Sequence, residues 1–146
     1  GSINNINIKN SFSDGLDADF SDIAIDKINI LSSGNDCVDL SYGKYDLNKL
    51  NLNNCGDKAL SVGEKSSLNL NEIVAENSNF GVVSKDSSTV KLNNAYLKNL
   101  KICVSAYNKK QEFSGGFLKI KNIDCKNYTE KKDIDVKSSI IIENEL

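Results

Sequence analysis

The 146-residue chain contains no proline, methionine, tryptophan, histidine or arginine. Each absence closes off a class of protein. Four cysteines without a C-x-x-C pair, and no histidine, leave a zinc centre without a ligand set. Every cation is a lysine, and 18 of them against 20 acids give a net charge of −2. Nucleic acid requires a basic stripe that this balance does not supply. No stretch of 18 apolar residues exists, so insertion in a membrane as a helix is not expected. No segment sustains a 3.6-residue period, so long helices are not expected either. Aromatics make up 7%, so any stacking on sugar rings should be modest. Gly1-Ser2 reads as a cloning remnant and residues 3–146 as one domain. The repeat begins at once, without an initiating Met, which leads us to expect a piece of a longer protein.

What is present is a repeat. Apolar residues recur as Φ-x-Φ-x-x-Φ-x-Φ at Ile23/Ile25/Ile28/Ile30, Tyr45/Leu47/Leu50/Leu52, Leu68/Leu70/Ile73/Ala75, Val90/Leu92/Ala95/Leu97 and Leu118/Ile120/Ile123/Cys125. Partial copies lie at Ile3/Ile6/Ile8 and Ile140/Ile142. The third residue of each copy falls at 3, 25, 47, 70, 92, 120 and 142. A fixed period near 22 residues is the mark of a solenoid. Within a copy, residues two apart share one face of a strand, and the extra residue in the middle demands a bend. A third inward pair follows: Leu16/Ala18, Val38/Leu40, Leu60/Val62, Val82/Ser84 and Val104/Ala106. Three short strands per coil predict an all-β, right-handed, three-sided parallel β-helix of about six coils.

Seven residues after each reference position stands Asn10, Ser32, Asn54, Asn77, Asn99 or Asn127. Asn tolerates left-handed backbone angles, and stacked amides can hydrogen-bond along the column. We therefore expect a ladder of side chains at one corner. The alternative is a leucine-rich-repeat-like solenoid, which Leu47, Leu50 and Leu52 resemble in spacing; the small and β-branched third strand fits a three-sided coil better.

The cysteines are Cys37, Cys55, Cys103 and Cys125. Cys125 falls on an inward phase and reads as a small buried hydrophobe. Cys37 and Cys103 share a column three coils apart, roughly 14 Å, too far to bond. Cys37 with Cys55 is the one pairing the layout suggests. Free structural thiols are the simpler expectation, and they leave the redox compartment undecided.

Chemistry concentrates on the outward side of the third strand. Asp17, Asp39, Ser61, Val83 and Ser105 form its central column, with Asp14, Asp19 and Asp36 nearby and Lys58, Glu64, Lys85, Asp86, Tyr107 and Lys109 further along. Such a face is a shallow, elongated groove suited to a polymer. Ligand contacts are expected from Asp14, Asp17, Asp39, Ser61, Glu64, Lys85, Tyr107 and Lys109. Asp17 above Asp39 offers hard oxygen ligands for Ca²⁺. Asp17, Asp36, Asp39 and Lys58 are the candidates for catalysis, since stacked carboxyls reach the separations glycosidases use. The plain alternative is a solvated acidic strand that discourages lateral aggregation. The one long step in the repeat holds an insertion, Asn108 to Gly116. A tolerated surface loop and a binding loop are both open readings.

The G-N-D-C-V-D-L segment at Gly34–Leu40 resembles the G-D-D-C segment of polygalacturonases, with Asp36 matching the second acid and Asn35 standing at the first. The coils resemble right-handed β-helix proteins of the pectate-lyase-like superfamily. Gly56–Glu64, Val83–Ser88 and Ser105–Lys110 look like segments of uncharacterised bacterial β-helix proteins, some similar to modules attached to spore-coat-type kinase domains. The resemblance implies the fold, a bacterial surface or secreted setting, and contact with polysaccharide. The chain has neither the His nor the Arg of the other polygalacturonase motifs.

The expected function is a non-catalytic extracellular or cell-surface module that binds carbohydrate or spaces other domains. Its partners would be a polysaccharide or cell-surface glycan, neighbouring domains of a parent protein, or another copy end to end. The alternatives are a glycoside hydrolase or polysaccharide lyase working through the acidic cluster, and a structural assembly module. No cofactor beyond Ca²⁺ is expected.

Overall fold

The computed structural model describes all 146 residues, and every regular element is a strand. The elements are β1 (Ser2–Ser11), β2 (Leu16–Asp19), β3 (Asp22–Ser33), β4 (Val38–Ser41), β5 (Lys44–Cys55), β6 (Lys58–Gly63), β7 (Ser67–Lys85), β8 (Thr89–Tyr107), β9 (Phe117–Ile134) and β10 (Ser139–Glu145). Every pairing is parallel, and each strand pairs with its equivalent one coil away. The chain is a parallel β-solenoid of about seven turns, not a leucine-rich repeat: no convex helix exists. Seven rungs stack through Ile3, Ile25, Leu47, Leu70, Leu92, Ile120 and Ile142.

Register explains the period. A step of one residue would turn every inward side chain outward, so the repeat must keep its phase. The 28-residue step does so by looping out Asn108–Gly116 while Leu92 still pairs with Ile120. Inward residues form one core that includes Ile28, Leu50 and Ile73 from one face and Val38, Leu60, Val82 and Val104 from the third strand.

The corner column behaves as its residues dictate. Asn10, Ser32, Asn54, Asn77, Asn99 and Asn127 all hold φ between 57° and 69°. Asn54 Nδ2 donates to Ser32 Oγ at 2.8 Å and Asn99 Nδ2 donates to Asn77 Oδ1 at 3.2 Å. Asn127 continues the column by donating to Asn99. The column is interrupted at two points: Asn10 and Ser32 share no bond, and Asn77 Nδ2 donates to Asn53 Oδ1 instead of to Asn54. Further ladders that the sequence pattern did not single out run through Asn7, Asn29 and Asn51, and through Asn48, Asn71 and Asn93.

Asn77→Ala should cost about 2 kcal/mol in urea unfolding, combining two lost hydrogen bonds with a left-handed backbone that Ala resists. Asn77→Gly keeps the backbone and should cost about half as much. Equal costs would mean that the ladder bonds, not the backbone angle, set the residue.

The cysteine expectation needs correcting. Both pairs are bonded, Cys37–Cys55 and Cys103–Cys125, and no thiol is free. Cys125 is therefore a covalent partner of the neighbouring coil, not a lone buried hydrophobe.

Candidate functional site

Positions 17, 39, 61, 83 and 105 pair in strict register, followed by Asp133 on the last turn. The third strand thus presents one straight outward column. Asp14, Asp17 and Asp39 bring carboxylate oxygens within 4.8 Å of one another at its N-terminal end. Oxygens that share one Ca²⁺ at about 2.4 Å can stand at most about 4.8 Å apart. The three carboxylates at this spacing could supply part of the six to eight oxygens that such an ion takes.

Electrostatics agree with crowding of like charge. Burial, reinforced by the Asp39, Asp19 and Asp14 carboxylates, pushes the Asp17 carboxyl up from its ordinary value. Burial also raises Asp39, against the pull of the Lys85 ammonium and the Ser61 hydroxyl.

Asp14 and Asp36 share a structural duty. Asp14 Oδ1 accepts the Asp36 amide at 3.0 Å and the Asn35 Nδ2 at 2.8 Å. Asp36 Oδ1 in turn accepts the Lys58 amide at 3.0 Å. The two acids cap successive coils at the entrance to the third strand. Asp36 is almost fully buried, and burial lifts its carboxyl to about 6 despite the Lys58 amide and ammonium. Its carboxylate lies outside the oxygen cluster, although the Asp39 and Asp14 charges add to the upward push.

Further along the column the face closes over. Ser61, Val83 and Ser105 point outward by register, yet none is exposed. Flanking columns carry Lys58 and Lys85, both largely buried, and Tyr107, half-buried. Lys85 runs across Gly63, where an added Cβ would sit 3.1 Å from Lys85 Cε. Lys58 Nζ bonds the Asp57 carboxylate at 2.7 Å and lies 5.6 Å from the Phe80 ring centre. Burial raises the Tyr107 phenol, partly offset by the Lys58 ammonium. Ser61 lies close enough to Asp39 to favour its anion, but its hydroxyl has no aligned hydrogen-bond partner, and neither does that of Ser105. Buried polar atoms are rarely left this way without a reason.

The remaining sites divide. Glu64 accepts Ser41 Oγ at 2.6 Å and pairs with Lys110 at 2.8 Å. Burial opposes its anion, but these two donors outweigh it and hold the carboxyl below its usual range. Lys109 is exposed, and its backbone amide donates to Asp86 Oδ1 at 2.7 Å.

Asp86 is a residue whose importance the sequence concealed. Fully buried, it also accepts the Lys110 amide at 2.9 Å and Asn108 Nδ2 at 3.2 Å through Oδ1, while Oδ2 has no partner. It pins the root of the inserted loop. The insertion is thus a built element, and not a slack one.

Set against protein-family models, curated proteins and solved structures, the chain matches none of them. The fold is shown by the architecture alone, and the function must be argued from the site.

Proposed function

We propose that this solenoid is a non-catalytic extracellular or cell-surface module that binds a glycan along the outward face of its third strand, with Ca²⁺ held by Asp14, Asp17 and Asp39. The observation that carries this reading is the accessible cluster of Asp14, Asp17 and Asp39 at one end of a column held in strict register. A polyhydroxylated chain crossing that end of the face would meet these carboxylates or their cation. The rigid 22-residue stack repeats its groups at strand spacing, about 4.8 Å, which suits an extended ligand. Two disulfides accord with an oxidising setting. The kinship to pectate-lyase-like proteins belongs to this proposal, supported by the parallel solenoid and the Gly34–Leu40 segment.

Calorimetry with Ca²⁺ tests the metal directly. We expect a dissociation constant in the range of about 0.1–1 mM, as for extracellular Ca²⁺ modules. Asp17→Asn/Asp39→Asn should weaken it at least tenfold. Screening neutral and acidic glycans with and without Ca²⁺ tests the ligand. A glycan bound equally well by wild type and the double variant would remove the acidic strand from the reading.

One observation favours a second reading, a glycoside hydrolase or polysaccharide lyase. Asp36, lifted to about 6 beside Lys58, has the protonation range of a general acid or base, and Lys58 and Asp39 are close enough to act on its charge. Turnover of a bound glycan, lost in Asp36→Asn with binding retained, would establish that reading.

A further inference from the structure

Where the third strand ends, the chain turns through Phe20 in the first coil and Tyr42 in the second, directly after Asp19 and Ser41. The turns hold these bulky residues at φ of 50° and 48°. Left-handed backbone is architectural here, since Glu64 and Asp86 occupy the same corner in later coils with φ of 28° and 51°. What is particular is the choice of aromatics, for which this conformation is costly. The two rings stack with centroids 4.6 Å apart and planes 5° from parallel. Phe20 nonetheless remains 76% exposed.

A third ring arrives from far away in sequence. Phe113 sits in the inserted loop and meets Tyr42 edge-on at 6.2 Å, with Lys65 Nζ 6.0 Å from its ring centre. The loop is held for this purpose at several points. Asp86 accepts two of its amides. Asn108 Nδ2 lies within hydrogen-bond reach of the Lys110, Phe113 and Ser114 carbonyls. Lys110 reaches back to Glu64. An elaborate anchor therefore delivers one aromatic side chain to an exposed aromatic pair.

A shallow, open depression of about 520 Å³ lies beside the pair, lined among others by Phe20, Tyr42, Ser21, Asp22, Lys44 and Lys65. Apolar ring faces surrounded by a hydroxyl, a carboxylate and two ammonium groups do not suit an aliphatic protein side chain. They suit a molecule with an apolar face and a polar rim. A pyranose ring is such a molecule: axial C–H groups on one face, hydroxyls around the edge. The corner begins directly after Asp19 and Ser41, two residues and about 7 Å of strand beyond Asp17 and Asp39, within the span of a short oligosaccharide.

We infer that the Phe20–Tyr42–Phe113 corner is a sugar-stacking subsite that seats one pyranose ring of the glycan whose chain crosses the acidic cluster. The inference rests on the glycan-binding reading above and adds to it a specific grip and its location.

The test is calorimetric titration of the intact chain, in Ca²⁺, with β-1,4-linked hexamers of glucose, N-acetylglucosamine and xylose, and with polygalacturonate. Four proteins are compared: wild type, Phe20→Ala, Phe113→Ala and Asp17→Asn/Asp39→Asn. We expect Phe20→Ala and Phe113→Ala each to weaken binding of the recognised sugar at least tenfold. Because Phe20 is exposed, its variant should melt with wild type, which separates lost grip from lost fold even if Phe113→Ala loosens the loop. Undiminished affinity in Phe20→Ala, alongside loss in the double Asp variant, would overturn the subsite and leave the glycan reading standing. No binding by wild type to any of the four would overturn both. Self-association of wild type in sedimentation, abolished by Phe20→Ala, would overturn the subsite in favour of a protein contact.

Discussion

Reduction of both disulfides is expected to lower the unfolding free energy by about 6 kcal/mol, about 3 from each closed loop of roughly 20 residues. Cys37–Cys55 spans a separation of 18 and Cys103–Cys125 a separation of 22. Both bonds join one coil to the next. In a solenoid each turn contacts only its neighbours, so stability is a sum of turn and interface contributions. A bond across such an interface keeps two turns in register even when the stack frays from an end. One bond clamps the second and third coils and the other clamps two coils in the C-terminal half, leaving the terminal turns to open first. For a chain of this size the change corresponds to a fall in Tm of roughly 12–24 °C. Scanning calorimetry with and without a phosphine reductant measures it. The Cys37→Ala/Cys55→Ala and Cys103→Ala/Cys125→Ala variants apportion it. A loss below about 1 kcal/mol for the fully reduced protein would show that the coils hold register without these bonds.

Those bonds also mark where sequence reading stops. The period assigns each residue to a column, and it did so correctly for the inward core, for the left-handed Asn corner and for the outward Asp17–Asp39–Ser61 line. It does not say which columns face one another across the interior. Cys103 and Cys125 occupy different columns on consecutive turns, and the period alone does not show that those columns meet. The same limit hid the aromatic corner. Phe20 and Tyr42 share a phase, but Phe113 joins them only because Asp86 and Asn108 fold the loop back, a tertiary fact with no periodic signal. Burial of Ser61, Val83 and Ser105 was hidden for another reason. Strict alternation assigns them to solvent, yet all three are fully buried on a face that also holds the largely buried Lys58 and Lys85. Asp14 was legible as part of an acidic patch, but its backbone-capping role beside Asp36 depends on coil stacking.

Asp36 yields the second large effect, and its sign is opposite to that of a salt-bridged acid. Its carboxyl titrates at about 6 when folded, against 3.8 as the ordinary value. Between these values the folded chain holds more protons than the unfolded chain. Stability from this group is therefore greatest below about pH 4, falls as pH rises through 6, and is flat above. A difference of about 2 pH units corresponds to about 3 kcal/mol withheld at neutral pH. Asp36→Asn retains an oxygen for the Lys58 amide and removes the buried charge. We expect the variant to exceed wild type by about 3 kcal/mol at pH 8, the Lys58 attraction being already contained in the shifted value, and to match it at pH 4. Urea unfolding at the two pH values reads the difference directly. A gap of the same size at both would mean that ionisation of Asp36 is not what limits stability. Asp57 and Glu64, held below their ordinary values by lysine partners, move the wild-type curve the other way, so only the difference between the proteins isolates Asp36. A neutral amide could perform the capping at lower energetic cost. A carboxyl that lowers stability where an amide would serve accords with the second, enzymatic reading proposed above.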